Sequence, residues 1–126
     1  MPARRISVLV VEDEVLISNL ITEVLDESGF SVHAEADGEA ALRYLESGAD
    51  VDILFTDISL LGPMDGSMLA RAARARRPEL PIVYCSGHYS PTALAPPVPR
   101  SIFVKKPYSP VDLCRLLERL TASTQH

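Results

Sequence analysis

Five side chains in this sequence are of the types that handle phosphate and a hard cation: Glu12, Asp13, Asp57, Ser86 and Lys106. Glu12 and Asp13 open a run of three acids, Glu12-Asp13-Glu14, that cuts off the apolar stretch VLVV. Crowding like charges where a buried strand ends is costly unless a cation joins them or the acids do separate local jobs. Asp57 follows ILFT, Ser86 follows IVYC, and Lys106 comes shortly after IFV. Carboxylates gathered with positions left for water and phosphate oxygens suit Mg²⁺. A carboxylate is also a nucleophile that forms an acyl phosphate. Transfer of a phosphoryl group asks a protein for little beyond alignment and charge neutralisation, which Mg²⁺ and a lysine supply.

Taken singly, each residue has an ordinary reading. Asp13 reads equally as the cap of the first helix, with Glu14 in that helix and interacting with its dipole. Asp57 alone reads as a turn residue, Ser86 as a loop hydroxyl and Lys106 as a solvated side chain. Their conjunction carries the signal, and it depends on elements that bring them to one rim. Short apolar runs at Ile6–Val11, Ser31–Ala36, Ile53–Phe55, Ile82–Cys85 and Ile102–Val104 read as strands. Between them Leu16, Ile17, Leu20, Ile21, Val24 and Leu25 recur at helical spacing, ended by Gly29. Further helices are expected over Gly38–Ser47, with Ala41, Leu42 and Leu45 inward, and over Gly66–Arg76, stopped by Pro78. The last starts at Ser109-Pro110, with Val111, Cys114, Leu117 and Leu120 on one face.

Strands alternating with helices imply parallel strands and right-handed crossovers. ISVLVV and DILF suit central strands covered on both faces, whereas SVHAEA alternates as an edge strand does. The expected fold is a doubly wound five-stranded parallel α/β sheet with helices on both faces. In such sheets ligands bind past the carboxyl ends of the strands, where strand order reverses. All five chemical residues fall at such ends. One segment breaks the rhythm: Gly87 to Ser101 holds four of the ten prolines, so a fourth helix there should be short or irregular.

The 126 residues suit a single domain over 1–126, with a core at 6–120 and a short polar tail at 121–126. A net charge of −5 argues against nucleic acid or an anionic membrane as partner. No apolar run approaches the ~20 residues of a membrane span, and no signal peptide is expected, so the expected address is the cytoplasm. Cys85 and Cys114 form no C-x-x-C and read as small buried hydrophobes. His33, His88 and His126 are too dispersed for a zinc set. Arg71, Arg74, Arg76 and Arg77 read as a solvated face that complements a helix C-terminus. Tyr84 is either core or part of a switch.

With VVEDE after the first strand, LFTD at the third, PMDG in the next loop, SG after the fourth and KPY after the fifth, the chain resembles the receiver domains of two-component response regulators, of the single-domain chemotaxis type. The resemblance runs from Ile6 to Leu120 and implies a flavodoxin-like sheet of strand order 2-1-3-4-5. It implies that Asp57 is the phosphoacceptor and that Glu12, Asp13, Asp57 and the Ser59 backbone carbonyl hold Mg²⁺. Ser86 would hydrogen-bond the phosphoryl group, Lys106 would pair with it, and Phe103 would sit at the aromatic switch position. Lys106 is preferred to Lys105 because it directly precedes Pro107. The implied partners are a histidine kinase or phosphotransfer protein and an unidentified downstream protein.

Two departures stand out. DISLLGPMDG is one residue longer than the usual spacing from phosphoacceptor to M-D-G turn, with Leu61 where proline is common. PIVYCSGHY and the proline-rich segment resemble the FATGUY subclass, which is associated with kinases of the HWE type. The expected function is a stand-alone phosphoacceptor that turns over no separate substrate. A haloacid-dehalogenase-like phosphatase would need a second aspartate where Ser59 stands. A flavodoxin-type cofactor module would place phosphate against Glu12 and Asp13, which would repel it. A phosphate-independent pseudo-receiver has no need for a full set of chemical residues.

Overall fold

The computed structural model describes residues 5–87 and 98–122. Five strands, β1 (Ser7–Val11), β2 (Ser31–Glu35), β3 (Ile53–Asp57), β4 (Ile82–Ser86) and β5 (Ser101–Lys105), pair in parallel in the order β2-β1-β3-β4-β5. Among the described residues the helices are α1 (Val15–Glu27), α2 (Gly38–Glu46), α3 (Gly66–Arg76) and α4 (Pro110–Ala122). The expectation of a short or irregular helix between β4 and β5 falls largely on residues 88–97, outside those described.

Strand geometry explains the two-layer core. Side chains along a strand alternate between faces, so Val8 and Val10 join a cluster with Ile21 and Leu25 of α1 and Leu113 and Leu117 of α4. Leu9 and Val11 face the opposite way, with Ala41 and Leu45 of α2 and Leu69 and Ala73 of α3. Because β1, β3 and β4 are covered on both faces, they read as unbroken apolar runs. The edge strands β2 and β5 are only partly buried.

Several boundaries differ from the sequence expectation, each for a packing reason. β3 continues through Thr56 to Asp57, and all five of its residues are buried, so Asp57 ends a rigid central strand rather than starting a turn. The buried face of α4 is Leu113, Cys114 and Leu117; Val111, in the first turn, is 58% exposed. Thr121 is not the start of the polar tail, since it is buried within α4 and donates its hydroxyl to the Leu117 carbonyl. Helix α1 begins at Val15, one residue later than expected, with Glu14 at its N-cap and no side-chain cap bond. Asp13 does not cap it.

The arginines on and after α3 are more than a solvated face. Arg76 pairs with Glu46, while Arg77 donates to the carbonyls of Leu45 and Ala49 at 3.0 and 2.7 Å. Arg74 donates to the carbonyls of Arg77 and Pro99 at 2.8 and 2.6 Å. The Leu45, Ala49 and Arg77 carbonyls lie at or just past the ends of α2 and α3, where helix carbonyls lack intrahelical partners, and Pro99 lies just before β5.

Candidate functional site

The site forms where the sheet order turns around. β1 lies between β2 and β3, and Val11 is in register with Thr56, so the residues just beyond β1 face the end of β3. Asp13, Asp57, Ser59, Leu61, Ser86, Gly87 and Lys106 line a single cleft there, with Glu14 and Ile17 of the α1 entry. The fourth and fifth strands deliver the remaining groups: Ser86 ends β4, and the Lys106 amide donates to the Ser86 carbonyl at 2.9 Å. The next peptide, Lys106–Pro107, is cis.

Lys106 is the centre of charge. Its Nζ lies 2.8 Å from Asp57 Oδ2 and 3.4 Å from Glu12 Oε1. Burial disfavours the ammonium, but the hydrogen bond to Asp57 and the charges of Asp57 and Glu12 outweigh it, holding Lys106 above its ordinary value. Glu12 is only 3% exposed, and its burial pushes its carboxyl up, against the opposing pull of the Glu14 amide and Lys106. The three successive acids therefore occupy three different places. Glu12 accepts from the Glu14 N–H at 3.0 Å and faces the lysine. Asp13 accepts from the Leu61 N–H at 2.9 Å, and Glu14 occupies the N-cap of α1.

Asp57 is gripped on both oxygens, by Lys106 on Oδ2 and by the Ser59 N–H on Oδ1 at 2.8 Å. The loop after it is held close. The Gly66 N–H donates to the Ile58 carbonyl at 3.0 Å. A Cβ on Gly66 would lie 2.1 Å from the Asp57 carbonyl oxygen, far inside contact distance. Gly38 is similarly hemmed in, its Cβ position lying 2.9 Å from Met64 Cγ. Neither glycine stands out in the sequence as a site residue. Gly66 ends the PMDG turn, which is the only hint of it.

Phe103 is half-buried and paired in register with Tyr84. Tyr84 belongs to the core on the α2 and α3 face, against which Phe103 also packs. Burial pushes its phenol up, and its hydroxyl lies beside the Val98 backbone and Ser101.

The donor set fits a hard cation that takes few protein ligands. Among the described residues no three carboxylate, imidazole or thiol groups stand together as a ready-made metal cage. Asp13 and Asp57 line the cleft from the ends of β1 and β3, with Glu14 at the α1 entry and the Ser59 and Ser86 oxygens beside them. Mg²⁺ is bound in this way, through one or two carboxylates plus waters and phosphate oxygens. Leu61, which lines the cleft, is 75% exposed, and Val15, Leu16 and Leu20 of α1 are exposed by 68, 83 and 56%.

The geometry is that of a doubly wound α/β domain with a lysine bridging two acids at its switch point. The chain belongs to the response regulator receiver domain family, which it matches over residues 8–118. It is 30% identical over 115 residues to the nitrogen assimilation regulatory protein NtrX of Azorhizobium caulinodans, covering 89% of this chain and 25% of that protein. It is 32% identical over 118 residues to the sensor kinase CckA of Brucella abortus, covering 90% of this chain and 12% of that one. The chain thus spans a quarter or less of these two relatives. Among solved structures, a response regulator receiver protein from Sinorhizobium medicae superposes with a TM-score of 0.87 at 34% identity, over 95% of this chain and 97% of that one. Among the described residues no helix is long and apolar enough to cross a membrane.

Proposed function

We propose that this receiver accepts a phosphoryl group from a histidine kinase or phosphotransfer protein onto Asp57, with Mg²⁺, and thereby changes the surface it offers to a downstream partner. The observation that carries this reading is the Lys106 Nζ to Asp57 Oδ2 contact of 2.8 Å at the end of a fully buried strand. In the transfer, an Asp57 carboxylate oxygen bonds to phosphorus as the phosphorus–nitrogen bond of a phosphohistidine breaks, and the electron pair leaves with the imidazole nitrogen. Lys106, released from the bare carboxylate, pairs with the phosphoryl oxygens, and the Ser86 hydroxyl donates to them. Asp13, Asp57, Glu12 and the Ser59 carbonyl would hold Mg²⁺, which when bound neutralises phosphoryl charge. Phe103 is the proposed relay from this site to the β5 edge.

The exposed apolar side chains of Val15, Leu16 and Leu20 on α1 support a protein donor, since exposed apolar residues grouped on one element mark protein contacts. The proposed partners are the kinase, with the HWE type as the finer assignment, and a downstream protein. The protein is proposed to act as a stand-alone signalling module in the cytoplasm, where thiols such as Cys85 and Cys114 stay free. It turns over no separate substrate. Incubation with acetyl phosphate and Mg²⁺, followed by intact-mass measurement, tests the reading. One added phosphoryl group in the native chain and none in Asp57→Asn is expected; equal labelling of both would overturn it.

A further inference from the structure

Two amides of one loop hold two of the acids that line the cleft, Asp57 and Asp13. The Ser59 N–H donates to Asp57 Oδ1 at 2.8 Å, and the Leu61 N–H donates to Asp13 Oδ2 at 2.9 Å. The second bond spans 48 residues and ties the β1 end to the loop between β3 and α3. The loop is fixed on its inner side, because Ile58 and Leu60 are 2% and 6% exposed, packed in the core with Leu69 and Ala70. Ser59 and Leu61 alternate with them and face outward. The far end is fixed by Gly66, whose amide is bonded to the Ile58 carbonyl. These amides therefore sit on a backbone that the core itself places.

We propose that the backbone amide of Leu61 is a positioning group for the cation site, holding Asp13 in place before the ion arrives. The proposal rests on the reading of Asp13 as a cation ligand. Asp13 sits beside buried Glu12, a like charge that would push it away, and a donated N–H offsets that repulsion. With one oxygen fixed, the carboxylate keeps acceptor capacity for an ion on its remaining lone pairs. A ligand already fixed loses less conformational freedom on binding. The Leu61 side chain is 75% exposed, so the residue's contribution here is its amide. Any residue but proline would supply that amide.

Mg²⁺ titrations of the full chain by calorimetry, comparing Leu61→Pro with Leu61→Ala, isolate the amide from the side chain. Outer-shell partners of metal ligands are worth about 10–100-fold in affinity, and a loss of about tenfold in Leu61→Pro relative to Leu61→Ala is expected. Equal or tighter binding by Leu61→Pro would overturn the proposal. A second measurement needs no metal and no proline: amide exchange at Leu61, read by NMR in the metal-free protein, should accelerate several-fold in Asp13→Ala. Because an asparagine oxygen can still accept, the deciding variant for exchange is Asp13→Ala, and an unchanged Leu61 rate there would sink the proposal even if Leu61→Pro fails to fold. Asp13→Asn separates the two readings. Unchanged Mg²⁺ affinity in that variant would remove Asp13 from the cation site altogether, whereas weakened affinity there with normal affinity in Leu61→Pro removes only the positioning role.

Discussion

Lys106 Nζ stands between Asp57 Oδ2 at 2.8 Å and Glu12 Oε1 at 3.4 Å, so one ammonium from the end of β5 neutralises carboxylates from the ends of β1 and β3. Both acids are buried, at 7% and 3% exposure. Removing one member of such a group leaves uncompensated charge in a poorly solvated place.

Lys106→Met should therefore destabilise the metal-free protein at neutral pH, by about 2–4 kcal/mol given that breaking a buried pair costs about 3–5 kcal/mol and this lysine is partly exposed. The pH dependence follows from Glu12. Its folded carboxyl is already raised by burial and partly restrained by Lys106, so loss of the lysine raises it further. A raised carboxyl gives stability that is present below its unfolded value and lost as pH rises through its folded value. The gap between native and variant proteins should thus be small in acid and widen toward neutrality. Urea unfolding across that range measures it; a gap independent of pH would show that Glu12 is not the group left exposed to the loss.

Gly66→Ala should be the most damaging small substitution near the site. Its Cβ would meet backbone, 2.1 Å from the Asp57 oxygen and 2.8 Å from Ile58 Cα, so no flexible side chain can yield. Overpacking of this kind costs about 1–3 kcal/mol or more. Gly48→Ala is the control: its φ is +84° with nothing within 4 Å, so only the left-handed backbone penalty of about 1–2 kcal/mol applies. Acetyl phosphate labelling should fall in Gly66→Ala and persist in Gly48→Ala. Full labelling of Gly66→Ala would mean the loop is not needed to hold Asp57.

Cys85 predicts an alkaline loss of stability. Burial pushes its thiol up to about 12 from 9.0, with the charges of Asp57 and Glu12 adding and Lys106 opposing. The unfolded chain loses this proton near pH 9 while the folded chain keeps it, so stability present below pH 9 declines as pH rises toward 12. Tyr84 and Tyr108 are raised as well and act in the same direction at higher pH. Cys85→Ala should flatten the slope between about pH 8.5 and 10, where the ordinary thiol titrates and the ordinary phenol mostly does not. An unchanged slope would place the cause elsewhere.

The five strands, the edge character of β2 and the cleft were legible because each depends on side-chain pattern. Continuous apolar runs mark β1, β3 and β4, and Glu12, Asp13, Asp57, Ser86 and Lys106 all stand where those runs or β5 give out. The sequence does not display backbone donors. That the Glu14 amide takes Glu12 follows from the local turn after β1, and that the Leu61 amide takes Asp13 follows from how two loops meet across 48 positions. The same limit hides Gly66, which matters through an atom it lacks, and Arg74, whose partners are carbonyls. Val111 was misplaced on the buried face of α4 because spacing alone does not fix the phase of a helix's first turn; Leu113 occupies the buried position instead.

Arg74 ties α3 to the approach of β5 and should govern how firmly that strand is held. Its guanidinium donates to the Pro99 carbonyl at 2.6 Å and to the Arg77 carbonyl at 2.8 Å, and burial lowers its basicity. Close by, Ser101 Oγ donates to the Val98 carbonyl at 2.7 Å, and the Ile82 amide donates to the Arg100 carbonyl at 3.1 Å, so the 98–101 stretch is clasped from α3 and β4. Hydrogen bonds from a charged donor contribute about 1.5–3 kcal/mol each, and loss of two with partial replacement by water should cost Arg74→Ala about 2 kcal/mol. The loss should be local. Amide exchange should quicken across Ile102–Val104 while β1 and β3 stay protected, since their core rests on other contacts. Asp57 lies at the opposite strand end from this clasp, so acetyl phosphate labelling should continue in the variant. Hydrogen exchange by mass spectrometry reads the first effect and intact mass the second. Uniform acceleration across all five strands would show that Arg74 stabilises the whole domain rather than holding β5, and unchanged exchange in β5 would show that the clasp carries no weight in solution.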